Sequence, residues 1–365
     1  MHLTSLSVRN IRKLKAASIV PLQSTNLISG ENGSGKTSLL ESIHYLATAR
    51  SFRTNRAREV ISHGEESLLV SGEFTDVTGS NNRIGVKKTS NETTLRLNGK
   101  SIMVASQIAR MIPILNFNTE SFLLLDGGPS NRRSLLDRLL FHVEHEYLDS
   151  LKRYYRILKQ RNALLRNSAA NKQITAWHLP MIVEVEKLDK WRAACISQIN
   201  RYLKDMSIFE RIGELELEYS RGWPGTTQYA DSLTDNLFRD KEAGITSSGP
   251  HRAELRFKVS GKLAKSTVSR GQGKLIIAAV VGAQAKYLAE KGKEQPIVLV
   301  DDLAAELDRS ARRVAVETLL GTQAQIFFTA IDATDLPDEL TDKARMFHVE
   351  QGGITSETGL RSDQE

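Results

Sequence analysis

The sequence predicts an α/β fold, a P-loop head with a mixed central sheet and an antiparallel β subdomain, interrupted by an inserted α-helical hairpin arm. Three observations predict it. Residues 30–38 read Gly-Glu-Asn-Gly-Ser-Gly-Lys-Thr-Ser between a short apolar run and an apolar-periodic segment. A second apolar run, residues 297–300, ends in the carboxylates of Asp301 and Asp302. Between these motifs, residues 131–206 carry almost nothing but helical periodicity.

The first motif has the form GxxxxGK(S/T). Binding phosphate requires several backbone N–H groups turned toward one point, and Gly30, Gly33 and Gly35 allow the positive φ and close approach that a Cβ would block. Glu31, Asn32 and Ser34 complete the loop. Lys36 is placed to reach the β- and γ-phosphates, and Thr37 offers its hydroxyl to Mg²⁺, with Ser38 beginning the helix behind. Residues 25–29 read as a buried strand before it, and Leu39, Leu40, Ile43 and Leu46 recur at helical spacing after it. Strand, glycine-rich loop and helix N-terminus together form an anion site, with ATP and Mg²⁺ the expected ligands.

At 365 residues and 40% apolar composition the chain has enough material for a large core. A single cysteine, Cys195, excludes a disulfide framework and a cysteine-based zinc site. The first residues lack a basic segment followed by an apolar one, and no stretch approaches the ~18 apolar residues of a spanning helix, so the chain is expected to be cytoplasmic with no membrane contact. The formal charge of +7 points to a polyanionic partner.

Along the chain, residues 2–9 and 18–20 read as strands before the P-loop. Residues 50–58 then hold Arg50, Arg53, Arg56 and Arg58 without an acid, either a solvated face or a phosphate-contacting loop. Alternating segments at 67–74, 83–88 and 93–97, with an Asn98-Gly99 turn, read as the antiparallel β subdomain. Residues 112–117 read as a core strand. Gly127-Gly128-Pro129 breaks the pattern and opens the arm.

Within the arm, Leu148, Leu151, Tyr155, Leu158, Asn162 and Leu165 predict one coiled-coil seam, and Met181, Val185, Leu188, Cys195, Ile199 and Tyr202 its partner, with Arg192 filling the skipped position. Pro180 opens or kinks the second helix. Lys152, Arg153, Arg156, Lys159, Arg161 and Arg166 lie in a stretch without an acidic residue. Lys152, Arg156 and Lys159 share a helix face and are the arm's candidate DNA contacts, with Arg50, Arg53 and Arg56 the candidates on the earlier loop. Strands follow at 215–219 and 253–259, with a helical piece at 232–239 between them. Residues 352–365 read as polar and loose. The expected division is an N-terminal lobe at 1–127, the arm at 128–208 and a C-terminal lobe at 209–365.

A P-loop needs a carboxylate at the end of a neighbouring strand to hold Mg²⁺, and Asp301 has the position of such a Walker B residue. Asp302 stands where many such ATPases carry the glutamate that orients the attacking water. Its side chain is one methylene shorter, about 1.5 Å of reach, which predicts slow hydrolysis. Glu306 is the second candidate for that role.

Ser269-Arg270-Gly271-Gln272 resembles the signature of ABC-type ATPases, and Glu306-Leu307-Asp308 resembles their D-loop. With the P-loop, these make the chain resemble an ABC-type P-loop ATPase head of the SMC class. The resemblance implies that Ser269, Gly271 and Gln272 cap ATP held by a second subunit, giving an ATP-dependent homodimer that hydrolysis releases. Ser51-Phe52-Arg53, Gly127-Gly128-Pro129 with Arg132-Arg133, Lys159-Gln160-Arg161-Asn162 and Gly249-Pro250-His251-Arg252 are, together, similar to the RecF family of bacterial recombination mediators, across residues 3–350. That likeness implies binding to double-stranded DNA and single-strand/double-strand junctions. It further implies partnership with RecO and RecR in loading recombinase at gaps, and roles in fork maintenance and SOS induction. It also suggests ligand-facing roles for His251 and Arg252. Asn118-Thr119-Glu120 departs from the expected γ-phosphate-sensing segment, and Thr329 stands where transport ATPases place a histidine. A transport-like ABC subunit is the alternative reading, opposed by the long basic hairpin and the absent histidine. A third is an interaction module that binds ATP without turning it over, opposed by the retained carboxylates.

Overall fold

Thr25–Ser29, Ile297–Val300 and Gln325–Thr329 are buried almost throughout, the pattern of strands covered on both faces. The computed structural model describes residues 1–357 except Ser207, Lys293 and Glu306. In it these strands form the centre of a six-stranded sheet in the order Gly353–Glu357, Arg345–Glu350, Thr25–Ser29, Gln325–Thr329, Ile297–Val300, Ile114–Phe117. Every pairing is parallel except that of the outer hairpin, Arg345–Glu350 with Gly353–Glu357. Parallel strands deliver their C-terminal ends to one edge, so Ser29, Val300 and Thr329 all arrive at the same place.

The alternating segments form a second six-stranded sheet, antiparallel, in the order Leu14–Ile19, His2–Ile11, Ser67–Thr75, Asn81–Thr89, Thr93–Leu97, Lys100–Ile102. Leu68, Val70 and Phe74 turn one face of it inward. Helix Lys36–Thr48 packs against both sheets, and its Leu39, Leu40, Ile43 and Leu46 join Leu3, Leu6, Val70, Ile84, Leu299 and Phe327 in one core. Gly72 lets the helix approach, since a Cβ there would lie 2.6 Å from the Leu46 side chain.

These sheets belong to one compact unit, residues 1–122, 206–212 and from 268 onward. Leu123–Asp205 and Gly213–Thr267 form a second. The expected arm at 128–208 is therefore too narrow, and residues 213–267 do not stay with a C-terminal lobe. Strand pairing is the reason. Leu215–Ser220 and Glu254–Val259 pair with each other, and the sheet is completed by Lys262–Leu263. Asn200 of helix His178–Lys204 exchanges two hydrogen bonds with the Leu217 peptide, at 2.8 and 2.9 Å, fastening that edge strand to the helix.

Helices Tyr147–Arg166 and His178–Lys204 form the predicted antiparallel hairpin, and Pro180 lies in the opening turn of the second. The seam of the first keeps Leu158 and Leu165 and is shifted by one residue at its other positions. Tyr147, Ser150, Tyr154, Leu158, Arg161 and Leu165 are buried, whereas Tyr155 is 44% exposed. Polar partners account for the shift. Arg161 meets Asp240 and Thr246, each at 2.7 Å; Ser150 donates to Glu184 at 2.6 Å; and Tyr147 donates to Asp137 at 2.5 Å while accepting from Arg192 at 3.0 Å. Counting apolar residues alone misses a buried face built partly from hydrogen-bonded polar side chains. In the second helix Met181, Val185, Leu188, Cys195 and Ile199 are buried as expected, and Leu203 replaces Tyr202. The polar tail also contains structure: Gly353–Glu357 is a strand, entered through Gln351 and Gly352 at φ 46° and 82°. The remainder of the expected loose tail, residues 358–365, lies outside the described residues.

His251 faces the interior of the second unit. The Thr246 carbonyl, which can only accept, takes a bond from Nε2–H at 3.0 Å; in the neutral ring that burial favours, Nδ1 accepts from the Tyr154 hydroxyl at 2.5 Å. Burial pulls its pKa from the ordinary 6.5 down to about 4. Between those values the unfolded chain takes up a proton that the folded unit refuses. The contribution of this ring to stability is therefore full above pH 6.5 and declines as the pH falls toward 4. Trp177, Trp191 and Trp223, the chain's three tryptophans, all lie in this unit, so their fluorescence reports its unfolding. Urea midpoints should drop with acidification across that window, and His251→Gln should flatten the slope.

Candidate nucleotide and metal site

Ser29 ends its strand and the chain turns over itself through residues 30–35. Gly30, Gly33 and Gly35 have φ values of 144°, 79° and 128°, a backbone that side-chain-bearing residues rarely adopt. A Cβ at Gly30 would lie 2.3 Å from the Val349 carbonyl oxygen. The loop is held from two hairpin turns. Gly352 N–H donates to the Ser34 carbonyl at 3.1 Å, and Lys13 Nζ to the Gly33 carbonyl at 2.6 Å. Lys13 was not legible as a site residue, because nothing local ties a turn lysine to a loop twenty positions later.

Lys36 Nζ donates to the carbonyls of Gly30 and Glu31 at 2.6 and 2.9 Å, so its ammonium lies across the loop mouth. Burial pulls its pKa down, while Asp301 and Asp302 pull it up. The buried Ser34 hydroxyl has no partner among the described residues, an orphan that an incoming phosphate oxygen would satisfy. Glu31, Asn32 and Gly33 are exposed at the mouth, and Ser38 is buried at the start of the helix. Behind the loop, buried Glu41 receives Arg12 and the Ser51 hydroxyl, anchoring the start of residues 50–58 to the P-loop helix.

Asp301 leaves the end of its strand and meets hydroxyls from both sides. Thr37 Oγ1 donates to its two carboxylate oxygens at 3.1 and 3.0 Å, and Thr329 Oγ1 to Oδ1 at 2.8 Å. Burial pushes the Asp301 pKa up; the bonds from Thr329 and Thr37 pull it back, Asp302 opposes them, and the positive charge of Arg53 assists. One hydroxyl and one carboxylate at a P-loop suit Mg²⁺, which takes few protein ligands and keeps water and phosphate oxygens for the rest. The residues therefore fit a magnesium-bound triphosphate.

Asp302 is exposed, at φ 52°, and its N–H donates to Thr329 Oγ1 at 2.9 Å. Thr329 thus joins the two aspartates, a role that the comparison with a histidine position did not suggest. Glu306, the second hydrolytic candidate, lies outside the described residues. Asn118 is turned inward, trading hydrogen bonds with Ser121. Glu120 remains exposed, its pKa raised by burial of the carboxyl and lowered by Arg53. Arg53 therefore lies within electrostatic reach of Asp301 and Glu120.

Ser269, Gly271 and Gln272 open helix Arg270–Lys291. Ser269 Oγ accepts from Gln272 N–H at 3.3 Å and Gln272 Oε1 from Ser269 N–H at 2.9 Å, a capping box that leaves the exposed start of the helix well formed. Of the other cations, Arg50, Arg53 and Arg56 are exposed, Arg56 pairing with Glu59 at 3.2 Å. In the second unit Lys152, Arg156 and Lys159 are exposed on one helix face. The run there is not wholly unopposed, since Lys152 is 3.8 Å from Asp149, Arg153 binds Glu184 at 2.7 Å and Arg161 is buried on Asp240.

A parallel sheet ending in a P-loop and a hydroxyl-bound aspartate, beside a second antiparallel sheet, defines an ABC-type P-loop ATPase head. Residues 2–355 match the RecF/RecN/SMC N-terminal domain family. The chain is 37% identical to the DNA replication and repair protein RecF of Shewanella baltica over 97% of this chain and 99% of that one. It is 35% identical to the protein of that name from Vibrio atlanticus, over 97% and 99%. Among solved structures it is similar to the recombination mediator protein RecF with ATP, from the RecFOR pathway, at TM-score 0.83 and 23% identity, covering 98% of both chains. An Smc head bound to the C-terminal winged-helix domain of ScpA follows at TM-score 0.61 and 15% identity, covering 99% of both. The chain belongs to the RecF family. No described helix is long and apolar enough to cross a membrane.

Lys36→Ala removes a cation whose hydrogen bonds among the described residues go to loop carbonyls, so folding should be unaffected. A fluorescent ATP analogue should bind roughly 10- to 100-fold more weakly, the scale of a lost charged hydrogen bond. Titration of wild type and variant by fluorescence anisotropy checks this, and equal affinities would remove the lysine from the site.

Proposed function

We propose that the protein is an ATP-switched DNA-binding head of recombinational repair and replication-fork maintenance, acting in the cytoplasm with RecO and RecR partners. The observation that carries the reading is the bond network Thr37, Asp301, Thr329, Asp302 at a P-loop of a RecF-family chain. Lys36 and the loop N–H groups bind the β- and γ-phosphates. Thr37 and Asp301 would hold Mg²⁺, which neutralises phosphate charge when bound. Asp302, with its carboxylate exposed, orients a water for slow hydrolysis. The exposed N-terminus of Arg270–Lys291, capped by Ser269 and Gln272, offers N–H groups to the γ-phosphate held by a second copy of the chain. Two heads then close over DNA with ATP and part after hydrolysis.

Double-stranded DNA added with ATP should raise both the hydrolysis rate and the mass measured by light scattering. A response to neither would refute the clamp and favour a nucleotide-binding interaction module. A transport-type role has no supporting observation in the fold or the relatives.

The arm's exposed face supplies a sharper expectation. If Lys152, Arg156 and Lys159 each meet a phosphate, the triple alanine variant should lose roughly 2 to 3 units of the log–log salt slope of duplex binding, at about 0.9 per contact. Alanine preserves the helix, so ATP affinity should not change. Affinity measured against salt with ATP present decides it. Equal slopes would leave the loop of Arg50, Arg53 and Arg56 as the DNA contact.

A further inference from the structure

Just past Asp301 the chain is held by a lysine from the signature helix. Lys274, five positions after Ser269, is 8% exposed, and its Nζ donates to the Asp302 carbonyl at 3.3 Å and to the Ala305 carbonyl. Asp302 benefits from such support. Its φ of 52° lies in the left-handed region, which most non-glycine residues disfavour, aspartate less than most.

Thr329 holds the N–H of Asp302 and Lys274 holds its carbonyl, so the backbone is anchored at both ends while the carboxylate remains exposed. The anchors come from different places. Thr329 also binds Asp301, and Asp301 binds Thr37 of the P-loop. Lys274 belongs to the helix whose exposed first turn is built by Ser269 and Gln272. A continuous series of hydrogen bonds therefore runs within one head from the P-loop hydroxyl, through both aspartates, to the signature helix.

We propose that Lys274 is a positioning residue that sets Asp302 for hydrolysis and couples it to the signature helix. A nucleotide of a second subunit engaging the start of that helix is then felt, five residues later, at this subunit's own Asp302. The proposal rests on the reading of Asp302 as the residue that orients water. A displacement of about 1 Å at a reacting group is enough to cost roughly 100-fold in rate, and a helix that shifts with Lys274 attached has that leverage.

The test uses the full chain with Lys274→Met, which keeps an unbranched side chain but removes the ammonium, Lys274→Arg, which keeps the charge, Asp302→Asn, and the Lys274→Met/Asp302→Asn double variant. Four properties are measured: affinity for a fluorescent ATP analogue, ATP-dependent mass, melting temperature, and DNA-stimulated hydrolysis. Lys274→Met should hydrolyse roughly 100-fold more slowly with affinity, mass change and melting temperature retained. Lys274→Arg should recover part of the rate. The double variant should be no slower than Asp302→Asn, because a residue acting through Asp302 has nothing left to position. Wild-type hydrolysis by Lys274→Met overturns the proposal. So does a double variant whose losses multiply, or a loss of ATP binding and melting temperature in step with the rate, which marks a packing residue. If Lys274→Met is unfolded, Lys274→Arg decides: a folded variant with wild-type rate refutes the coupling, and one with a reduced rate and normal affinity supports it. Asp302→Asn at wild-type rate would instead remove the water-orienting reading itself, whatever Lys274 does.

Discussion

The Asp301 carboxylate is the group on which the site depends. It is largely buried, and burial alone would favour its neutral form and weaken it as a cation ligand. Hydroxyls from two neighbouring elements, Thr37 and Thr329, oppose that tendency. They reach it because the strands before the P-loop, before Asp301 and through Thr329 are parallel neighbours whose ends share an edge. An antiparallel partner at either position would carry its terminal residue to the opposite edge. The sheet topology and the chemistry of the carboxylate are in that sense one constraint.

A similar logic, without chemistry, organises the second unit. Arg161 and Arg192 are fully buried, and each meets a carboxylate, Asp240 and Asp137 respectively. Removing one partner of such a pair is expected to cost about 3 to 5 kcal/mol, because the other charge is left stranded. Arg192 also donates to the Pro250 carbonyl, and Asn162 accepts from Thr246 N–H, so the hairpin grips the segment around Gly249 at several points. Stretches that resemble family motifs, Arg161-Asn162 and Pro250-His251, are thus used inside the unit. Arg252 alone of its motif is exposed.

Legibility followed the distance over which a residue's role is decided. The P-loop is legible because its geometry is local, three glycines and a lysine within seven positions. The strands and the two long arm helices are legible because burial imposes its period on adjacent residues. The arm seam was read one position out at Tyr155 because the hidden face contains Ser150 and Arg161, which a count of apolar residues assigns to solvent. Arg53 read as one more cation in a basic loop, and only folding shows its charge reaching Asp301.

What the sequence determined by itself was most of the longer elements, the phosphate loop and the carboxylates opposite it, since each is written in neighbouring residues. The tertiary structure decided which sheet the strands at 215–220 and 254–263 joined, because identical alternation serves any partner and the choice fell to the helix carrying Asn200. It also decided what Lys13, Thr329 and Lys274 do. Each is a common polar residue with no local signal, and each acquires a role from a carbonyl or carboxylate between 20 and 31 positions away. A side chain's chemistry is fixed by its type, but its partner is fixed by the fold.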